Sequence, residues 1–175
     1  MTAQLESKPS DKIIEELADE ASFSVWVTAT QKALVRFCRQ FVGDWHEAED
    51  MAQEAYLLAW LKRGSFKGKS TLLTWQMSIA RRVCLDRLRK RRRADLIPHD
   101  ERDIALENEI DEKIDIQRTL EKLSADDRAI LYLRIGEEMQ FDDIAKVVGR
   151  AASTCRKRFE RAKHKFEAAY NGLGE

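Results

Sequence analysis

The stretch VTATQKALVRFCRQFVGDWHEAEDMAQEAYLLAW, from Val27 to Trp60, decides the fold class. In its first half the apolar pairs Ala33/Leu34, Phe37/Cys38 and Phe41/Val42 recur at four-residue spacing, which puts one continuous apolar stripe on a helix. Gly43 ends that helix, and Asp44 is placed to cap the next, whose stripe runs through Ala48, Met51, Ala52, Ala55, Leu58 and Ala59. Glu47, Asp50 and Glu54 fall along another face, so this second helix has an apolar side and an acidic side.

Beyond it, Lys62 to Ser70 contains Gly64 and Gly68 among basic and small residues and reads as a loop. Ser70 or Thr71 caps a third helix, which carries Leu72, Leu73, Trp75, Met77, Ile79, Ala80, Val83, Cys84 and Leu88 and runs into an arginine cluster. On the N-terminal side, residues 1–22 read as a polar tail, with a short helix allowed after Ser10 and Asp11 and fraying expected. The domain formed by these helices is predicted over residues 23–94. An acidic linker follows over 95–112, without aromatics and with little periodicity.

A second domain is predicted over residues 113–175. Ser124 caps a helix through Ile130, Leu131 and Leu133 that stops near Gly136, and a short helix covers Phe141 to Val148 with Ile144, Ala145, Val147 and Val148 inward. A tight turn at Gly149 leads to a last helix from about Ala152 to Ala169, with Cys155, Phe159, Ala162 and Phe166 as its buried stripe. The fold class is therefore all-α: two helical domains joined by a flexible linker, the C-terminal one a helix-turn-helix.

Composition supports this. The 175 residues include seven glycines and two prolines, 35% of them are charged and 43% hydrophobic, which favours helices and supplies a core for each domain. No stretch resembles a signal peptide or approaches the apolar length of a membrane span, so a cytoplasmic protein without membrane insertion is expected. The three cysteines, Cys38, Cys84 and Cys155, are dispersed and odd in number, and read as small buried hydrophobes rather than a disulfide or zinc framework. His46, His99 and His164 are equally dispersed, so neither a metal site nor another cofactor is indicated.

The formal net charge is zero, yet the charges are sorted along the chain. Arg81 to Arg93 is almost wholly basic, Asp95 to Asp115 mostly acidic, and Arg150 to Lys165 basic again. Two basic segments separated by an acidic one suggest two surfaces for a polyanion. On the last helix Arg156, Lys157, Glu160 and Arg161 fall off the buried stripe and are free to meet DNA. A solvated surface face is the competing reading for a lone basic helix; the short helix and turn before it favour DNA. Trp60, Phe66 and Trp75 surround a basic loop, an arrangement suited to stacking on unpaired bases. The competing reading puts Trp60 and Trp75 in the core, and is the better one for Trp75, leaving Phe66 and the polar loop residues exposed. Gly68-Lys69-Ser70 is not a phosphate-binding loop, because Gly64 stands one residue too close and no strand precedes it. Nothing is arranged as a nucleophile with its base, so an enzyme is not expected.

The segment Ala48 to Trp60 resembles region 2 of the extracytoplasmic-function (ECF) sigma factors, whose pattern runs approximately AEDLVQETFLRAW. Thr74-Trp75, Ile79-Ala80-Arg81 and Asp86-Arg87-Leu88-Arg89 are similar to the stretch that follows in that family. Leu123-Ser124, Arg128 to Leu133, Asp143-Ile144-Ala145 and Arg158 to Lys163 resemble its region 4. The resemblance implies a dissociable subunit of bacterial RNA polymerase that recognises the −10 and −35 promoter elements and initiates transcription. It assigns polymerase binding to Asp50, Gln53 and Glu54, and −10 contacts to Phe66, Lys67, Lys69, Ser70, Trp75, Arg81, Arg82 and Arg87. Contacts at −35 fall to Ser153, Thr154, Arg156, Lys157, Glu160 and Arg161. Core RNA polymerase, promoter DNA and an anti-sigma factor are the implied partners. The chain departs from the family pattern at Ala151, where Ser or Thr is usual, at Cys155, usually aliphatic, and at Arg82, commonly Asn. Two other classes compete: a stand-alone helix-turn-helix regulator that dimerises, and a redox or metal sensor built on the cysteines.

Overall fold

The computed structural model describes residues 19–94 and 119–171, and all regular structure among them is helical. Most of the expected tail, the short helix after Ser10 and the acidic linker lie outside these residues. The chain divides into two compact units between Cys84 and Leu85.

In the first unit, α1 spans Glu20–Val42 and α2 spans Trp45–Lys62. The first helix begins earlier than the apolar pairs alone indicated, because Asp19 caps it by accepting from the Ser22 N–H at 2.8 Å. Gly43 ends it at φ +80, a left-handed backbone that disfavours a side chain, and donates its N–H to the Arg39 carbonyl. Asp44 then caps α2 by accepting from the Glu47 N–H at 2.8 Å. The two helices run antiparallel. Phe23 lies 5.0 Å from Trp60 between ring centroids, and Thr30 shares a 2.8 Å hydrogen bond with Tyr56.

After α2 a single 3-10 turn, Arg63–Ser65, leads through an open segment into α3, Leu72–Ala94. Thr71 is the cap: its hydroxyl accepts from the Thr74 N–H at 3.1 Å. The core gathers Leu34, Phe37, Met51, Ala55, Met77 and Ala80. Cys38 of α1 and Cys84 of α3 meet there through a thiol hydrogen bond, a contact that their distance in sequence conceals. Beyond Cys84 no described residue of α3 is buried, which is why the division of units falls inside this helix although the helix continues to Ala94.

The second unit holds α4, Ala125–Leu131, followed by one π-helical turn, Tyr132–Gly136, then α5, Phe141–Val148, and α6, Ala152–Asn171. Ser124 caps α4, accepting from the Asp127 N–H at 3.2 Å. Between α5 and α6, Gly149 takes φ +66 and ψ 40 and donates its N–H to the Ala145 carbonyl. That left-handed residue makes the sharp turn, and α5 and α6 form a helix-turn-helix. Helix α6 packs against both α4 and α5, with Ile130, Leu133, Ile144, Val147 and Cys155 in the core.

Candidate functional site

Three surfaces carry the residues that the sequence singled out. The first is on α2. Burying Ala48, Met51, Ala52, Ala55, Tyr56 and Ala59 against the core turns Asp50, Gln53 and Glu54 outward, and all three are exposed. The same line of the helix continues through Leu57, 59% exposed, and Leu61, 67% exposed. Two leucines this open at i and i+4, in register with an acidic stripe, make a mixed apolar and acidic exposed face. Periodicity placed only Leu58 on the inner side and said nothing of these two.

The second surface is the loop between α2 and α3 with the outer side of α3. Lys67 and Lys69 are exposed, Ser70 half-buried. Phe66 is not the free aromatic that the sequence suggested: it is half-buried, with its ring 5.2 Å from that of Trp75. Trp75 in turn is only half-buried, so it is not a core residue. The 3-10 turn at Arg63–Ser65 and the positive φ of Gly68 bend the loop back so that the two rings share one flank of α3. Trp60 is also half-buried, with the Arg63 guanidinium 3.9 Å from its ring centroid. Arg82 and Arg87 are exposed and Arg81 half-buried, at the start of a basic run that includes Lys90 and Arg91 to Arg93. The loop thus offers stacking rings beside lysines, and α3 extends the positive charge along the helix.

The third surface is the outer face of α6. Cys155 and Ala162 are buried and Phe159 half-buried, while Ser153, Thr154, Arg156, Lys157, Glu160 and Arg161 are all exposed. The face is held in place from behind. Arg158 donates through Nε to Asp127 Oδ1 at 2.8 Å and through Nη2 to Ser124 Oγ at 3.1 Å, and a second carboxylate, Asp126, stands 3.7 Å away. Burial pushes the Asp127 carboxyl up, but the hydrogen bonds from Arg158 and Ser124 and the charges of Arg158 and Lys165 outweigh it and hold the group below the usual range. Phe141, the first residue of α5, lies 5.7 Å edge-to-face from Phe159 and takes the Arg156 guanidinium 5.2 Å from its ring centroid. Neither Arg158 nor Phe141 was legible as a support for this face, since each acts across a helix junction. At Ala151, where the family carries a capping hydroxyl, the carbonyl accepts from the Cys155 N–H to start α6.

All three thiols are buried. The hydrogen bond that the Cys38 thiol makes with Cys84, then burial, raises Cys38 well above the ordinary thiol range, and burial raises Cys155. Buried protonated thiols are poor nucleophiles and poor metal ligands, and no group of three metal-binding side chains occurs among the described residues. The described helices include none long and apolar enough to cross a membrane.

An exposed acidic and apolar face, paired rings beside lysines on a basic helix, and a helix-turn-helix with an exposed basic face are the features of a DNA-binding protein. Known proteins agree. Residues 26–94 match the family described as Sigma-70 region 2, and residues 113–166 that described as Sigma-70, region 4. The chain is 30% identical to the RNA polymerase sigma-H factor of Pseudomonas aeruginosa over 89% of each chain. It is 41% identical to the ECF RNA polymerase sigma factor SigG of Mycobacterium tuberculosis over 46% of this chain and 22% of that protein. Among solved structures it is similar to the sigma factor RpoE of Bartonella quintana, solved with the anti-sigma factor NepR. That likeness has a TM-score of 0.71 and 27% identity, and covers 85% of this chain and 96% of that one. The protein belongs to the ECF sigma factors: it binds core RNA polymerase and directs promoter recognition and the initiation of transcription.

Proposed function

We propose that the three surfaces divide the work of a sigma factor among the residues named above. Asp50, Gln53 and Glu54 dock on core polymerase, with Leu57 and Leu61 as apolar anchors at the end of the same face. Phe66 and Trp75, with Lys67, Lys69 and Ser70, take an unpaired base of the −10 element, and Arg81, Arg82 and Arg87 hold neighbouring phosphates. Helix α6 reads the −35 element as duplex through Ser153, Thr154, Arg156, Lys157, Glu160 and Arg161. Strand opening draws on binding energy and no covalent step belongs to this chain, so it is not an enzyme. Its place is the cytoplasm, where polymerase works.

The observation that carries this reading is the opposition of charge. The exposed line on α2 is acidic and apolar, whereas the outer faces of α3 and α6 are basic. A docking face of opposite sign to the two DNA faces keeps polymerase and nucleic acid from competing for one surface. An anti-sigma protein is a further partner in this reading, supported by the bound state in which the similar Bartonella quintana protein was solved.

The test is size-exclusion chromatography of the full chain with bacterial core RNA polymerase, comparing wild type with an Asp50→Arg, Glu54→Arg double variant. Wild type is expected to co-elute and the variant to elute alone. Retained co-elution of a folded double variant removes α2 as the docking face.

A further inference from the structure

Helix α6 has a second charged flank that its assignment as a groove helix leaves without a role. Between α6 and the start of α4 lies a cleft of about 380 Å3, lined by Asp127, Arg150, Thr154, Arg158, Arg161 and Lys165. Four cations face one carboxylate, and that carboxylate is already tied to Arg158 at 2.8 Å. The excess positive charge therefore resides on Arg150, Arg161 and Lys165, all three exposed, with the exposed Thr154 hydroxyl among them. Thr154, Arg161 and Lys165 follow helical spacing, roughly 100° around the axis from the face centred on Ser153, Arg156, Lys157 and Glu160. Arg161 belongs to both.

We propose that this cleft is a phosphate-binding site that takes the backbone of the same duplex whose bases α6 reads, with Arg150 and Lys165 as contacts additional to those proposed above. The proposal rests on that reading of α6. A major groove is about 12 Å wide and a helix with its side chains about 10–12 Å across, so a helix lying in the groove has a phosphate strand along its flank. A flank that is basic, hydroxyl-bearing and concave meets that strand with donors rather than with repulsion. The Arg158–Asp127 pair forms the floor of the cleft, fixing α6 against α4 so that the cationic side chains converge. An acidic protein surface is the other macromolecule the cleft could attract. Duplex is favoured because Arg161 joins the cleft to the base-reading face without a break.

The test uses holoenzyme reconstituted from core RNA polymerase and full-length protein, with a promoter duplex selected from a random-sequence pool by the wild-type holoenzyme. An Arg150→Gln, Lys165→Gln variant keeps both side chains polar and leaves the Arg158 pair untouched. Affinity is measured across a series of salt concentrations. The log–log salt slope is expected to become shallower by about 1.8, about 0.9 for each phosphate contact removed, with base preference unchanged. An unchanged slope and affinity, while Arg156→Ala still alters base preference, overturns the cleft proposal and leaves the reading of α6 intact. If Arg156→Ala and the double variant are both without effect on DNA, the reading of α6 fails and the proposal with it. Loss of co-elution with core polymerase at an unchanged DNA slope assigns the cleft to an acidic protein surface and overturns the phosphate site.

Discussion

The two modules hold their functional faces by different physical means. In the first, the acidic line on α2 is set by periodicity alone: small and apolar residues on one side of the helix are buried, packing on α1, and whatever alternates with them faces out. In the second, the helix that carries the exposed basic face is tied to α4 by Arg158, whose side chain is only 17% exposed and which spans two carboxylates and a hydroxyl. A face made by packing is insensitive to any single polar group. A face held by an ion pair depends on both partners.

The sharpest way to break this comparison is Arg158→Leu. It removes the arginine from the Asp127 carboxylate, 22% exposed, and leaves it only the Ser124 hydroxyl as a side-chain donor. Hydrogen bonds to charged groups in partly buried sites point to a loss of about 2 kcal/mol in the second module. Thermal melts followed by far-UV circular dichroism would report it. Tryptophan fluorescence would not, because Trp26, Trp45, Trp60 and Trp75 all lie in the first module. A fluorescence change as large as the dichroism change would mean that the two modules do not differ in the way described.

Acid should expose the same asymmetry. Asp127 is held below the usual carboxylate range in the folded chain, so its contribution is fully present above the unfolded value of about 3.9 and is lost as pH falls through the lower folded value. Asp19 and Asp44 in the first module are also lowered, chiefly by N–H groups of their own helices, but each is fully exposed and joins no two helices. The expected result on titrating from pH 5 downward is loss of helical dichroism before the tryptophan signal shifts. In Arg158→Leu that early acid step should shrink, since the Asp127 shift depends largely on the arginine. An early step of unchanged size in the variant would trace the acid response to other carboxylates.

How far the two modules were legible in sequence follows the same division. The helices, both turn glycines, the Ser124 and Asp44 caps and the exposure of Arg156, Lys157, Glu160 and Arg161 were all readable, because each is fixed within one turn of chain by periodicity or backbone conformation. The pairing of Arg158 with Asp127, the meeting of Cys38 with Cys84 and the tilted ring contact of Phe66 with Trp75 were not, because each depends on where another element arrives. Arg158 looked like one more cation in a basic run, and Trp75 like one more apolar residue on a broad helix face. Leu57 and Leu61 were passed over for another reason: the apolar stripe leaves both off the inner side, and only their exposure marks them as part of the outer line.

Gln76 sharpens the contrast from the first module's side. It is fully buried on α3, and neither its Nε2 nor its Oε1 has a hydrogen-bond partner. Unlike Arg158, this buried polar group holds nothing in place. Gln76→Leu removes the unpaired amide at nearly constant volume and is expected to stabilise the first module by about 1 kcal/mol. Urea unfolding read by tryptophan fluorescence should show a higher midpoint at an unchanged slope. A lower midpoint would mean that the amide has a partner in solution and that this module too uses a buried polar tie.

The smallest effect expected concerns how Arg156, proposed above to read bases, is aimed in the module that relies on cross-helix ties. Phe141 belongs to α5, yet its ring meets the Arg156 guanidinium of α6 and is braced by Phe159; Arg134 stands 5.0 Å from the same ring and donates to the Met139 carbonyl at 2.9 Å. Arg134 is thus anchored elsewhere, whereas the ring is the contact that orients Arg156. At an exposed site such a cation–π contact is worth about 0.5–1 kcal/mol. The effect on DNA belongs in a double-mutant cycle of Phe141→Leu and Arg156→Ala, measured as holoenzyme affinity for a selected promoter. Phe141→Leu is expected to weaken binding about threefold when Arg156 is present and hardly at all when it is alanine. An equal loss in both backgrounds would make Phe141 a packing residue of the helix-turn-helix, and the aim of Arg156 would then come from α6 itself, set by periodicity as on α2.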